Sequence, residues 1–186
     1  MPEYVVLVDE YDNPVGVAEK MKAHQEGLMH RAFSIFVFNS AGKMLIHQRA
    51  LDKYHSGGLW TNACCSHPRP GESLQLAIGR RLQEEMGFDC STHEIFSLTY
   101  HAVITGCNFV EHEFDHVFYG VSDTVPHPDA NEVNAFSYVD VDWLVDDVKK
   151  HQERYTAWFS LIVERVVAYH KEQIKEVGPF VQKSLT

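Results

Sequence analysis

A single well-bounded helix standing among strands constrains the fold of this chain more than any other feature. Between Ser73 and Met86, the residues Leu74, Ile78, Leu82 and Met86 recur every four positions and trace one drifting apolar face. Ser73 supplies an N-cap hydroxyl, and Gly87 stands where a left-handed C-cap belongs. Most of the chain around it reads as strand. Tyr4 to Asp9 is a short β-rich run, followed by a turn at Asp12-Asn13-Pro14 and a short helix over Lys20 to Glu26. Ala32 to Asn39 (AFSIFVFN) is aromatic and β-branched, and Ser40-Ala41-Gly42 turns it into a second strand, Lys43 to Arg49, as a hairpin. Further strands are predicted over Leu59 to Cys65, Glu94 to Ile104, Glu113 to Val121 and Ala135 to Asp140. Two helices follow, Val141 to His151 and Thr156 to Glu172. This order predicts an α+β domain layered around a mixed sheet, not an alternating βαβ array. The 186 residues are enough for one such domain, 1–186, with no internal repeat.

Composition narrows the function classes. A formal net charge of −10 argues against broad nucleic-acid binding, which needs a basic face. A small anionic substrate needs only a few local cations and stays open. No apolar run approaches the length of a membrane span. MPEYVVLVDEYDNP lacks the basic flank and long apolar core of a signal peptide, so a cytoplasmic location is expected. In that compartment Cys64, Cys65, Cys90 and Cys107 are expected as free thiols. A monomer is the expected assembly.

Three groups of residues carry chemistry. In the helix and the loop before it, Glu72, Arg80, Glu84, Glu85 and Gly87 stand at the spacing of the Nudix box, a segment spanning about residues 66–88. Ser66 replaces the first Gly of that box, and Arg81 replaces the Glu that follows Arg80. Helix-end carboxylates can hold Mg²⁺, which in turn grips a diphosphate. The plainer reading is a solvated face with i,i+4 ion pairs, Arg80 with Glu84 and Arg81 with Glu85. The lost Glu points to a Nudix fold that binds a diphosphate without cutting it.

The second group is His24, His30 and His67, with Glu111 and Glu113 in VEHEFDHVF. In an extended strand Glu111 and Glu113 face the same way. Three imidazoles and two carboxylates suit Mn²⁺, Zn²⁺ or Mg²⁺. In a chain with twelve histidines, any one of them alone is more simply a scattered surface residue. The third is Cys65 in WTNACCSHP. Most free cysteines are small buried apolar residues, but a thiol beside a metal or cation can exchange protons near neutral pH. If Cys65 faces such a site, Cys64 faces the opposite way and packs.

Taken together, these residues resemble the type I isopentenyl diphosphate isomerases of the Nudix superfamily. The resemblance is carried by HRAFSIFVFN, QRALDKYHSGGLWTNACCSHPRPGES, the degenerate Nudix helix, VEHEFDHVF and TAWF, across nearly the whole chain. It implies a Nudix-type α/β/α layered fold. It also implies interconversion of isopentenyl and dimethylallyl diphosphates by protonation and deprotonation of the alkene, in isoprenoid biosynthesis. By resemblance, Cys65 and Glu113 are the proton carriers and Tyr100 assists Glu113. His24, His30, His67, Glu111 and Glu113 match the ligands of a divalent metal (Mn²⁺, Zn²⁺ or Mg²⁺). Glu85 matches the carboxylate of a Mg²⁺ shared with the diphosphate. Lys20, Arg49, Lys53 and Arg81 match substrate-binding cations, and Trp158 matches an indole lining the hydrocarbon pocket. His24 and Tyr100 need alignment gaps, and Ala157 replaces a proline of the motif.

The chemistry asks for these residue types. Protonating an unactivated alkene produces near-carbocation character, and the proton lost leaves another carbon. Two carriers with separately tuned acidity suit this, and an aromatic face stabilises the cation by roughly 0.5–2 kcal/mol. A Nudix pyrophosphohydrolase is the alternative, but it leaves Cys65 and the glutamate pair without roles. A structural zinc domain using Cys64, Cys65 and His67 lacks the second ligand pair such sites usually have.

Overall fold

The computed structural model describes residues 2–104 and 106–177. Its elements in chain order are β1 (Tyr4–Val8), β2 (Pro14–Glu19), α1 (Lys20–Glu26), β3 (His30–Phe38), β4 (Met44–Arg49), β5 (Trp60–Thr61), β6 (Cys64–Ser66), α2 (Leu74–Met86), β7 (Thr92–Val103), β8 (Val110–Val121), β9 (Val133–Val139), α3 (Val141–Lys150), a 3₁₀ turn (Gln152–Arg154) and α4 (Ala157–Val177). The strands join in one nine-stranded mixed sheet. Its parallel pair is β3 with β8, from His30 beside Glu113 to Phe38 beside Val121; the other ladders are antiparallel.

β3 is the centre of the sheet because nearly every side chain along it is buried, so its alternating residues feed two cores. Phe36 and Phe38 point into one core, with Met44 and Ile46 of β4, Val117 and Tyr119 of β8, and the apolar faces of α3 and α4. Phe33, Ile35 and Val37 point into the other, against Ala77, Ile78, Leu82 and Met86 of α2. Helices therefore cover both faces, giving the expected α/β/α layering. Leu82 is fully buried; truncating such a leucine to alanine costs roughly 2–5 kcal/mol.

The central helix is bounded as its sequence predicts. Ser73 Oγ accepts from Leu76 N, and Gly87 adopts φ 69° as the C-cap. An added Cβ at Gly87 would stand 2.2 Å from His127 O, so the position needs glycine for space as well as conformation.

The structure differs from expectation in four places. Leu59 to Cys65 is not one strand: β5 and β6 are separated at Asn62-Ala63, because β5 pairs with β4 whereas β6 pairs with β3. The hairpin of β3 and β4 touches only at Phe38 and Met44; β6 pairs with β3 along Phe33–Ile35, and β4 turns to β9. β2 was hidden in PVGVAE, whose proline and glycine break a strand pattern but are tolerated on this exposed edge. α4 runs beyond Glu172 to Val177.

Candidate active site and metal centre

Strand register builds the site. β8 sets Glu113 directly between His30 of β3 and Tyr100 of β7, and β6 sets Cys65 beside Ser34 of β3. β8 parity turns Glu111, Glu113 and Asp115 to one face, the face that holds Val117 and Tyr119 further along. A cleft opens there, lined by Cys65, His67, Tyr100, Glu111, Glu113 and Trp158, with Lys20, Arg49, Lys53, Arg81 and Glu85 around it. His24 also lines it, and His30, fully buried, stands against His67 behind it. The residues that the resemblance assigns to the site are thus brought to one place, whereas Glu72, Arg80 and Glu84 of the Nudix spacing and the packed Cys64 do not line the cavity.

The histidines are presented as metal ligands normally are. His24 Nδ1 lies 2.7 Å from Lys20 O and His30 Nδ1 lies 2.8 Å from Leu28 O, so each ring donates from Nδ1 and turns its Nε2 inward. His30 and His67 Nε2 face each other at 3.2 Å, and His67 Nε2 is 2.8 Å from Glu113 Oε1. His24 Nε2 and Glu111 Oε2 are 3.2 Å apart, and both are buried without a hydrogen-bond partner. Converging lone pairs and orphaned polar atoms fit a divalent cation. His24, His30, His67 and Glu113 form one group able to hold an ion, and Glu111 joins through His24. The same groups tune one another. Burial pushes the His67 pKa down to about 3, against the pull of Glu113. Burial works against ionisation of Glu113, but hydrogen bonds from His30 and His67 overcome it and hold the carboxyl well below its usual range. Glu111 is shifted up by burial and by the charge on Glu113.

Cys64 and Cys65 face opposite ways. Cys64 is 0 % exposed in the core beneath α2, while Cys65 reaches the cavity. Burial, then the nearby Asp115, pushes the Cys65 thiol far above its ordinary pKa. Cys64, Cys65, Cys90 and Cys107 are free.

α2 contributes its polar edge. Arg80 grips Glu72 through two 2.7 Å bonds and Glu84 at 3.3 Å. Arg81 bonds Glu84 at 2.7 Å, contacts Glu85 more closely still, and comes within 3.7 Å of Glu132. The ion pairs of the plainer reading therefore exist, yet Arg81 and Glu85 also line the cavity. Lys53 bonds Glu132 at 2.5 Å, Lys20 bonds Glu3 at 2.9 Å, and Arg49 lies 5.5 Å from the Trp158 ring. Ala157 stands at the first position of α4, where a proline is merely favourable; the indole beside it is fixed by Trp158 Nε1 donating to Thr61 Oγ1 at 3.0 Å.

Four further residues belong to the cavity's surroundings and were not singled out from the sequence. His55 Nε2 lies 3.1 Å from Glu111 Oε1, forming a second possible ligand group with His24, and its pKa is pushed down to about 3 by burial and then by Arg49. Glu132 pairs with the cations Lys53 and Arg81. Ser34 donates to Asp115 at 2.8 Å and touches Cys65 Sγ at 3.3 Å. Parity along VEHEFDHVF already sets Asp115 beside Glu111 and Glu113; nothing local marks His55.

Comparison with known proteins places the chain in a family. The NUDIX domain family matches residues 28–159. The isopentenyl-diphosphate Delta-isomerase of Burkholderia multivorans is 50% identical over 165 residues, 89% of this chain and 93% of that protein. That of Serratia proteamaculans is 46% identical over 173 residues, 93% of this chain and 96% of that protein. In fold, the chain resembles a crystallised protein from Deinococcus radiodurans with TM-score 0.73 and 20% identity, covering 88% of this chain and 98% of that one. A MutT protein from Methanosarcina mazei gives TM-score 0.62 at 18% identity, covering 79% and 96%. The chain belongs to the isopentenyl-diphosphate Delta-isomerase family, built on the NUDIX domain.

Proposed function

We propose that this protein interconverts isopentenyl diphosphate and dimethylallyl diphosphate, with Cys65 and Glu113 as the two proton carriers. One observation carries the assignment of roles: Cys65 on β6 and Glu113 on β8 flank β3 from either side and line the same cavity as the Trp158 indole. One carrier adds a proton to the terminal methylene of the alkene, and the other removes one from the carbon next to the diphosphate arm. The substrate keeps its proton count, and one proton has passed from the first carrier to the second, to be returned before the next turnover. Tyr100 holds the Glu113 carboxylate by a 2.5 Å bond, fixing the direction of one oxygen. The indole face offsets the positive charge that develops between the two transfers.

His24, His30, His67, Glu111 and Glu113 would hold a divalent ion, Mn²⁺, Zn²⁺ or Mg²⁺, and Glu85 would share Mg²⁺ with the diphosphate. Bound there, the ions supply positive charge that tunes the carboxylates and offsets the phosphate charge. Lys20, Arg49, Lys53 and Arg81 surround the cavity, so an acidic protein offers a locally cationic anchor. At the position where the Nudix box has a glutamate, Arg81 replaces a carboxylate with a cation, which suits diphosphate binding, and pairs with Glu84 and Glu85. Water is kept from the reacting carbons by the buried Trp158 and Tyr100.

The test is one NMR tube holding the protein, Mg²⁺ with trace Mn²⁺ or Zn²⁺, isopentenyl diphosphate and D₂O. Deuterated dimethylallyl diphosphate without free phosphate is the expected product. Phosphate release would identify a hydrolase, and unchanged substrate with every metal would reject the isomerase.

A further inference from the structure

Between the indole and the thiol runs an unbroken set of hydrogen bonds to which the roles above assign nothing. Trp158 Nε1 and Thr156 Oγ1 both donate to Thr61 Oγ1, each at 3.0 Å. Thr61 Oγ1 donates in turn to Asn62 Oδ1 at 3.0 Å, and Cys65 Sγ donates to that same oxygen at 3.0 Å. The directions follow from the inventory of protons. An indole N–H can only donate. Both Nδ2 protons of Asn62 are used, on Ile35 O at 3.0 Å and Cys64 O at 2.8 Å, so its oxygen must face Thr61 and Cys65. Thr61 has one proton to give and two lone pairs to offer, and all three are engaged. Thr61 is 1 % exposed, Asn62 0 % and Trp158 4 %, so solvent cannot replace a partner that is lost. The backbone ties the same elements together: Thr156 N donates to Trp60 O at 3.0 Å, and Trp60 bridges Tyr155.

We propose that Thr61 and Asn62 are positioning residues that lock the Trp158 indole and the Cys65 thiol into one relative geometry. The catalytic consequence rests on the isomerase reading above. A thiol can swing among three staggered rotamers, and an indole on the first turn of a helix can follow any movement of that turn. Asn62 Oδ1 selects one thiol direction, and Thr61 ties the ring to the same oxygen. The cation-stabilising face and a proton carrier then meet the alkene from fixed positions. Errors of about 1 Å in such placements can cost on the order of 10²-fold in rate. Neither Thr61 nor Asn62 needs to touch the substrate.

The experiment uses full-length protein with ¹⁵N-labelled tryptophan. The three indole signals, Trp60, Trp143 and Trp158, are assigned with the help of Trp158→Phe. Thr61→Val keeps the side-chain shape and removes the hydroxyl. The Trp158 indole proton should move upfield, and kcat should fall about tenfold or more, toward the cost of such misplacement, with KM for isopentenyl diphosphate little changed. Thr61→Ser should restore both. A Thr61→Val protein with wild-type kcat, or with an unmoved indole signal, would overturn the proposal. Cys65→Ala provides a second probe should Thr61→Val fold poorly. It removes the other donor to Asn62 Oδ1, so the Trp158 indole signal should shift through Thr61, and an unchanged signal would again overturn the proposal. If the wild-type protein fails to isomerise its substrate, the isomerase reading falls, and the two indole measurements decide the network by themselves.

Discussion

Tyr100 Oη donates to Glu113 Oε2 at 2.5 Å, while His67 and His30 take the other oxygen of the same carboxylate, at 2.8 and 3.5 Å. One side chain therefore serves two purposes through two atoms: Oε1 faces the ligand cluster and Oε2 is held by a phenol. Burial, then the charge of Glu113, keeps the Tyr100 proton on far above its ordinary pKa, so the phenol remains a donor at any working pH. Tyr100→Phe is expected to lower kcat by about 10²-fold, the scale of losing a group that assists proton transfer. Metal content should not change, because the phenol bonds Glu113 Oε2 while the imidazoles lie against Oε1. Paired turnover and elemental analysis check this. Loss of metal with unchanged turnover per bound ion would refute the division of labour.

The fold was legible wherever local rules decide. Ser73, Gly87 and the fourfold spacing of α2 predict that helix because capping and amphipathicity are local properties. Parity predicts that Cys64 and Cys65 diverge and that Glu111 and Glu113 converge. Register was not legible. Nothing in AFSIFVFN says that β6 rather than β4 lies along Phe33–Ile35, since strand partners are chosen by long-range closure. The same limit hid His55. Its turn, KYHSGG, has no periodicity, and only closure of the 50–58 loop over the cavity sets its Nε2 against Glu111. Thr61 and Asn62 were visible in WTNACC as letters, but Thr61's bonds depend on α4 returning to β5 and Asn62's on β6 lying along β3.

Arg81 and Glu85 form a buried pair, with side chains 16% and 7% exposed. Burial shifts Glu85 upward, the charge of Glu132 adds to the shift, and Arg81 opposes it. Arg81→Met is expected to destabilise the protein by about 3–5 kcal/mol, because it strands the carboxylate beside Glu132. Mg²⁺ should recover part of the loss by taking the guanidinium's place, and KM for the diphosphate should rise. Urea titrations with and without Mg²⁺ measure the first effect and steady-state kinetics the second. Wild-type stability in the variant would mean that the pair carries no load.

The metal cluster borders one apolar core, whose Tyr100 bonds Glu113, but both cores are built from side chains other than the metal ligands. Chelator-treated protein should therefore keep its far-UV circular dichroism and melt cooperatively at a lower temperature. Returning a divalent ion at about 1,000 times its Kd should add roughly 4 kcal/mol. An unfolded apoprotein would instead mark the ion as a structural requirement, as in a small zinc domain. Thermal melts across Mn²⁺, Zn²⁺ and Mg²⁺ also rank the ions directly.

Cys65 holds its proton. Burial raises its pKa, Asp115 adds to the shift, and Ser34 and Asn62 only partly oppose it. A thiol that keeps its proton at neutral pH is ready to give one and slow to react as a nucleophile. Its alkylation by iodoacetamide, followed by peptide mass spectrometry, should keep rising through pH 9 with no plateau. The same shift has a stability consequence. An unfolded cysteine releases its proton near pH 8.5, below the folded value, so above that pH the unfolded chain binds fewer protons and stability falls as pH rises. The contribution is fully present below about pH 8.5 and is lost as pH climbs toward the folded pKa. Urea denaturation at neutral and alkaline pH should show a steeper alkaline loss for wild type than for Cys65→Ala. A plateau in alkylation below pH 8, or identical alkaline slopes for the two proteins, would show instead that the site holds Cys65 as a thiolate.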